Sequence, residues 1–181
     1  MSDYDKLVAE MREEFPKFKI VEKKDSTLMK LCNIGLLIIT FGQMKTFMSK
    51  FTTTVLFTIY TPSEWEDADQ VGILKHERVH MRQLRRHGIF WFWLGYCFLW
   101  FPTCFAYYRK KYEQEAYEET LRHRAQTGGM RYLEHPEYRE SIISNFTSAK
   151  YFWTWPWRKD IEEWYDACVR KIRLELLESR G

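Results

Sequence analysis

No C-x-x-C pair occurs in this sequence; its four cysteines, Cys32, Cys97, Cys104 and Cys168, stand far apart in apolar surroundings. That spacing excludes the paired-thiolate metal and redox motifs, and such cysteines read as free thiols in a reducing compartment. Charge of one sign is scarce as well: 28 basic and 25 acidic residues leave a formal charge of +3. So weak a field gives no reason to expect nucleic-acid binding. Residues 1–15 are acidic and amphipathic and lack the basic start and apolar stretch of a secretory leader, so a cytoplasmic location is expected and the Asn145 sequon is incidental. Repeats, low-complexity tracts and linkers are missing too, which leaves a single compact domain over residues 1–181 as the expectation.

Aromatic residues, by contrast, make up 18% of the chain, with 8 Trp, 13 Phe and 11 Tyr, as a bulky core demands. Residues 89–108 carry no charge, a length that would span a bilayer. Pro102 interrupts that run, and a helical hairpin bent there is the preferred reading, with one side left to touch a membrane or a partner.

Hydrophobic spacing predicts a helix over residues 4–15, ended by Pro16, and a short strand at 18–21. Asp25 or Ser26 caps a second helix through residue 39, continuing toward 48. Residues 51–60, rich in β-branched and aromatic side chains, read as one strand closed by Pro62. Ser63 with Glu66 then makes a capping box for a long helix to about His87. A helix is expected from 105 to 124, a turn at Gly128 and Gly129, and a loop containing Pro136 that leads into the aromatic cluster at 151–157. A last helix is capped by Asp160 with Glu163. The fold class is therefore α+β, mainly helical, with a short sheet next to the long helix.

On that long helix lies His76-Glu77-Arg78-Val79-His80, the pattern H-E-x-x-H. Histidines at i and i+4 stand one above the other on one face, so both imidazoles reach one tetrahedral ion. Glu77 projects about 100° around the helix from His76, where a carboxylate can take a proton from water at an open coordination position. A catalytic zinc wants a third protein ligand. Downstream, Tyr112, Ala116, Tyr117 and Leu121 mark the apolar arc of a helix, and Glu113 falls inside it while Glu115, Glu118 and Glu119 fall opposite. A buried carboxylate needs a cation, so Glu113 is the favoured ligand, with Glu115 the alternative.

These residues resemble the gluzincins, zincins in which a later helix supplies a glutamate in a pattern such as E-x-x-A, here Glu113 with Ala116. The resemblance implies a zincin-like fold, Zn²⁺ held by His76, His80 and Glu113, Glu77 as general base, and residues 51–60 as the edge strand that pairs with an extended peptide substrate. Many gluzincins place an acidic residue four positions after the ligand glutamate; here Tyr117 stands there, and its phenol is the candidate to orient a ligand or stabilise an oxyanion. His135, Tyr138 and Tyr151 are further candidates for that last task. The stretches at 51–62, 75–83 and 112–117 are also similar to small metallopeptidases of tailed phages, which implies a role around phage particles and structural proteins of the virion. A zinc metallopeptidase is thus the expected function, and a catalytically idle docking or virion component of the same fold is the alternative. Lys75, Arg78, Arg82, Arg85 and Arg86 share an arc opposite the histidines and read as a solvated face, whereas Gln83 and His87 extend the histidine face.

Overall fold

The computed structural model describes residues 1–39, 45–65, 69–93, 106–148, 155 and 157–179. Among them it is mainly helical, with one small three-stranded mixed sheet. Backbone contacts divide the chain into two units, Met1–Met81 and Arg82–Gly181.

The first unit opens with α1, Asp3–Glu14, whose start is fixed by a reciprocal cap: Ser2 Oγ accepts from the Asp5 amide and the Asp5 carboxylate accepts from the Ser2 amide, both at 3.1 Å. β1, Lys19–Glu22, follows, then a 3₁₀ turn over Lys23–Asp25 and α2, Thr27–Ile39. β2, Thr53–Val55, and β3, Thr58–Thr61, complete the sheet in the order β1-β3-β2. β1 runs parallel to β3, with Ile20 opposite Ile59, and β2 runs antiparallel, with Thr54 opposite Ile59. Central β3 buries Ile59 with Leu7, Val8, Met11, Phe15, Phe18, Leu74 and Met81. α1 thus contributes one face of the core and the sheet another.

Residues 51–60 do not form one strand. Leu56 adopts φ 56° in the connection between β2 and β3, so the segment folds back as a hairpin. The Phe57 ring, next in the chain, stacks on Phe15 at 5.6 Å. Packing on Phe15, just past the end of α1, thereby rewards a bend that the β-rich composition conceals.

α3, Gln70–His87, carries the H-E-x-x-H residues and continues past the boundary at Met81. It starts later than Ser63, which lies in a turn, and Glu66 lies outside the described residues. Asp69 caps α3 instead, its Oδ1 accepting from the Gly72 amide at 3.0 Å. Gly88, at φ 78°, ends it by donating its amide to the Leu84 carbonyl at 2.9 Å.

The second unit continues through α4, Ile89–Trp93, α5, Ala106–Gly128, α6, Met130–Glu134, α7, Pro136–Thr147, and α8, Arg158–Glu178. Its core gathers Leu121, Leu133, Ile143, Phe146, Ile161, Tyr165 and Ile172, all nearly or fully buried. Tyr165 satisfies its buried hydroxyl by donating to the Leu133 carbonyl at 2.7 Å. Pro136, expected within a loop, opens α7 at the first helical position, where its missing N–H costs nothing. Asp160 does not cap α8, which begins two residues earlier at Arg158; its carboxylate accepts from Trp155 Nε1 at 3.1 Å.

The expected hairpin bend at Pro102, the thiols Cys97 and Cys104, and most of the aromatic cluster at 151–157 lie outside the described residues. Trp155 of that cluster is buried and Trp157 is half exposed. Cys168 is a buried free thiol, its pKa pushed up to about 12 chiefly by burial. Cys32 is exposed rather than apolar-packed. No helix among the described residues is long and apolar enough to cross a membrane.

Candidate metal centre

His76 and His80 occupy one face of α3 because their four-residue separation slightly exceeds one helical turn. Their rings meet edge to face with centroids 4.9 Å apart, and the two Nε2 atoms lie 3.2 Å from each other. Two ligand atoms on a tetrahedral ion with bonds of about 2.0–2.1 Å are separated by roughly 3.3 Å. The histidine pair already has that spacing. His80 is buried and His76 half-buried.

Glu113 joins them. One ligand atom from each of His76, His80 and Glu113 lies within 4.8 Å of the other two, and among the described residues this is the group of three side chains able to hold a metal ion. Two imidazole nitrogens and one carboxylate oxygen are a donor set suited to a borderline divalent cation. Glu113 is only 9% exposed, and Tyr112, Ala116 and Leu121 on the same helix are buried, as the apolar arc of α5 predicts. Glu115 has other partners: its carboxylate accepts from Gln83 Nε2 at 2.9 Å and pairs with Arg86 at 3.2 Å.

The last turn of α3 is fastened to α5 within the second unit. Gln83 is fully buried and donates to the Tyr112 carbonyl at 3.0 Å, which satisfies an amide that would otherwise be costly to bury. His87 packs on the Tyr112 ring at 5.4 Å. The sequence alone did not assign Gln83 this role, because a glutamine on the histidine face looks equally like a cleft-lining group.

Arg78 departs from the expected solvated arc. Its guanidinium bonds Glu14 at 2.6 Å and Glu10 at 2.8 Å, joining α3 to α1 within the first unit, and its side chain is only 19% exposed. The signal was hidden because the partners lie more than sixty residues away in the chain.

Glu77 is half-buried and does not belong to the ligand group. Glu77 in turn acts on a second residue that sequence reasoning passed over. Lys23 is almost completely buried, and burial pushes its ammonium down to about 7, with Cys32 and Glu77 both favouring the charged form. Tyr117 sits one turn beyond Glu113 on α5; its hydroxyl accepts from Asn145 Nδ2 at 2.9 Å and its ring packs on Phe146 at 5.2 Å. His135 precedes α7, Tyr138 packs against Tyr132 at 4.5 Å, and Tyr151 lies outside the described residues.

These observations define a mainly helical α+β protein with a His-His-Glu group able to hold a metal ion. No protein-family model, curated protein or solved structure matches the chain.

Proposed function

We propose that this chain is a zinc-dependent peptide-bond hydrolase of gluzincin type, with His76, His80 and Glu113 as ligands and Glu77 as general base. The observation that carries the reading is the convergence of the three ligand atoms within 4.8 Å while Glu77, on the same helix, stays outside that group. A closed structural site has no use for a carboxylate beside it, whereas a hydrolytic site requires one.

A bound zinc would supply Lewis acidity toward a substrate carbonyl and toward the attacking water. His76 and His80 would hold it through the rigidity of α3, and Glu113 would supply the negative charge that offsets the cation. Glu77 takes a proton from the attacking water and returns it to the leaving amine. Tyr117, one turn along α5 from Glu113, is the group proposed to steady the ligand shell, its hydroxyl held by Asn145. Peptide substrate and phage structural proteins are the partners the motif resemblance suggests.

The test begins with metal content, measured by mass spectrometry on purified protein, with about one equivalent of zinc per chain expected. Glu113→Ala is expected to weaken zinc binding at least about a hundredfold in a chelator competition, and Glu115→Ala to leave it within about threefold. Equal losses from the two variants would remove Glu113 from the ligand set. Glu77→Gln should keep the metal and abolish cleavage of a mixed peptide library; retained cleavage would overturn the general-base role, and absence of cleavage by the zinc-loaded parent would favour the idle zincin-fold alternative.

A further inference from the structure

Helix α2 displays an apolar stripe to the outside. Steps of about 100° per residue place Leu28, Leu31, Ile34 and Ile38 within roughly a third of its circumference, and these side chains are 46%, 62%, 53% and 70% exposed. Met29, on the other side, is the buried anchor of the helix. Exposing four large aliphatic side chains in a row is costly unless something covers them.

The surrounding charge identifies the cover. Between Asp25 and Glu64 the chain contains no acidic residue, while Lys30, Lys45 and Lys50 are all exposed. The turn that bears Lys45 and Lys50 is held beside the start of α2 by a buried fastening: Lys23 Nζ donates to the Phe47 carbonyl at 2.8 Å and lies 3.5 Å above the Phe47 ring. Lys23 belongs to the 3₁₀ turn just before α2. The aliphatic ridge thereby shares its helix with Lys30 and adjoins the turn of Lys45 and Lys50, while the exposed carboxylates Asp25 and Glu64 stand at the edges, the Glu64 amide donating to the Ser49 carbonyl at 3.1 Å.

Size decides against a second copy of the chain on this face. A helix of 13 residues is about 20 Å long and about 10 Å across, so one face offers roughly 200 Å², against about 800 Å² per partner in a stable complex. A lipid surface sets no such area threshold, because each aliphatic group enters the acyl boundary independently and anionic headgroups attract the flanking lysines. We infer that α2 is a membrane-surface docking element, lying in the interface of an anionic bilayer through Leu28, Leu31, Ile34 and Ile38 with Lys30, Lys45 and Lys50 on the headgroups. None of these side chains belongs to the metal group.

Flotation of the full chain with phosphatidylcholine vesicles, with and without phosphatidylserine, tests the inference. Partition onto the phosphatidylserine vesicles is expected, and it should weaken as salt is raised. Combining Leu31→Gln, Ile34→Gln and Ile38→Gln should lower that partition at least about tenfold. Lys45→Ala with Lys50→Ala, exposed positions whose loss leaves the fold intact, should lower it about tenfold on phosphatidylserine and leave phosphatidylcholine unaffected. Absence of binding by the parent chain, equal binding to both vesicle types, or full binding by either variant would overturn the inference. So would a dimer, measured by sedimentation equilibrium, that the glutamine variant dissociates, because the stripe would then belong to a second copy.

Discussion

In the first unit Lys23 is 1% exposed, and among the described residues its ammonium has one hydrogen-bond acceptor, the neutral carbonyl of Phe47. In the second unit Arg122, half-buried, is gripped by three carboxylates: Glu175, Glu118 and Glu119, each at 3.0 Å. The two cations respond in opposite directions. Burial drives the Lys23 pKa down to about 7, whereas the Glu175 hydrogen bond first, and then those of Glu118 and Glu119, hold the guanidinium of Arg122 above its ordinary range. A cation with anionic partners staples helices, here α5 to α8; one set against a neutral acceptor is held in place only because the rest of the fold over-determines it. Lys110 lies between these cases, 3.6 Å above the Trp155 ring with Asp160 at 3.9 Å, and burial still lowers its pKa.

The strongest way to break this contrast is Arg122→Met. It leaves three carboxylates clustered without their common cation and should destabilise the protein by about 2 kcal/mol in urea unfolding, discounted for the partial exposure of the pairs. No change at this variant would mean that the network is only a surface feature.

Lys23→Met probes the other side and should act oppositely, stabilising by about 1 kcal/mol at neutral pH, since a well-packed apolar side chain replaces a buried charge. The pH dependence sharpens it. With a folded value of about 7 against an ordinary 10.5, the unfolded chain holds a proton that the folded chain has released throughout that window. Stability of the parent protein should therefore rise with pH between those limits, and the urea midpoint of the Met variant should lack that rise. A parallel pH profile for both proteins would show that Lys23 is not the group responsible.

The smallest effect belongs to Lys171→Met. Burial raises the Glu118 pKa, but hydrogen bonds from Lys171 and Arg122 outweigh it and leave the carboxyl below its ordinary 4.5. Its contribution is present above that value and is lost as pH falls through the depressed folded one. Removing exposed Lys171 should cost about 0.5 kcal/mol near neutrality and make the acid-induced loss correspondingly shallower, as thermal melts across the acid range would register.

Much of the helical content was legible beforehand because it rests on local periodicity. α1 and the end of α3 at His87 lie where spacing places them, and the apolar arc of α5 is buried as the positions of Tyr112, Ala116 and Leu121 require. Local rules misled where two local signals compete or a distant partner decides. Ser63 is a good capping residue, yet Asp69 caps α3. Residues 51–60 have strand composition throughout, yet Leu56 turns the chain. Pro136 marks a break by rule and a helix start in fact. Arg78 resembled its solvated neighbours until Glu10 and Glu14 of α1 were brought against it.

By itself the sequence determined the vertical pairing of His76 and His80 and the inward direction of Glu113, since the helical repeat fixes both from residue numbers alone. Tertiary structure alone decided that these side chains share a common volume, that Glu115 goes instead to Gln83 and Arg86, and that Lys23 is buried within the field of Glu77. Helical periodicity is set by backbone geometry within a few residues, whereas the meeting of side chains far apart in the chain depends on which packing arrangement buries the most apolar surface while leaving most buried polar groups satisfied.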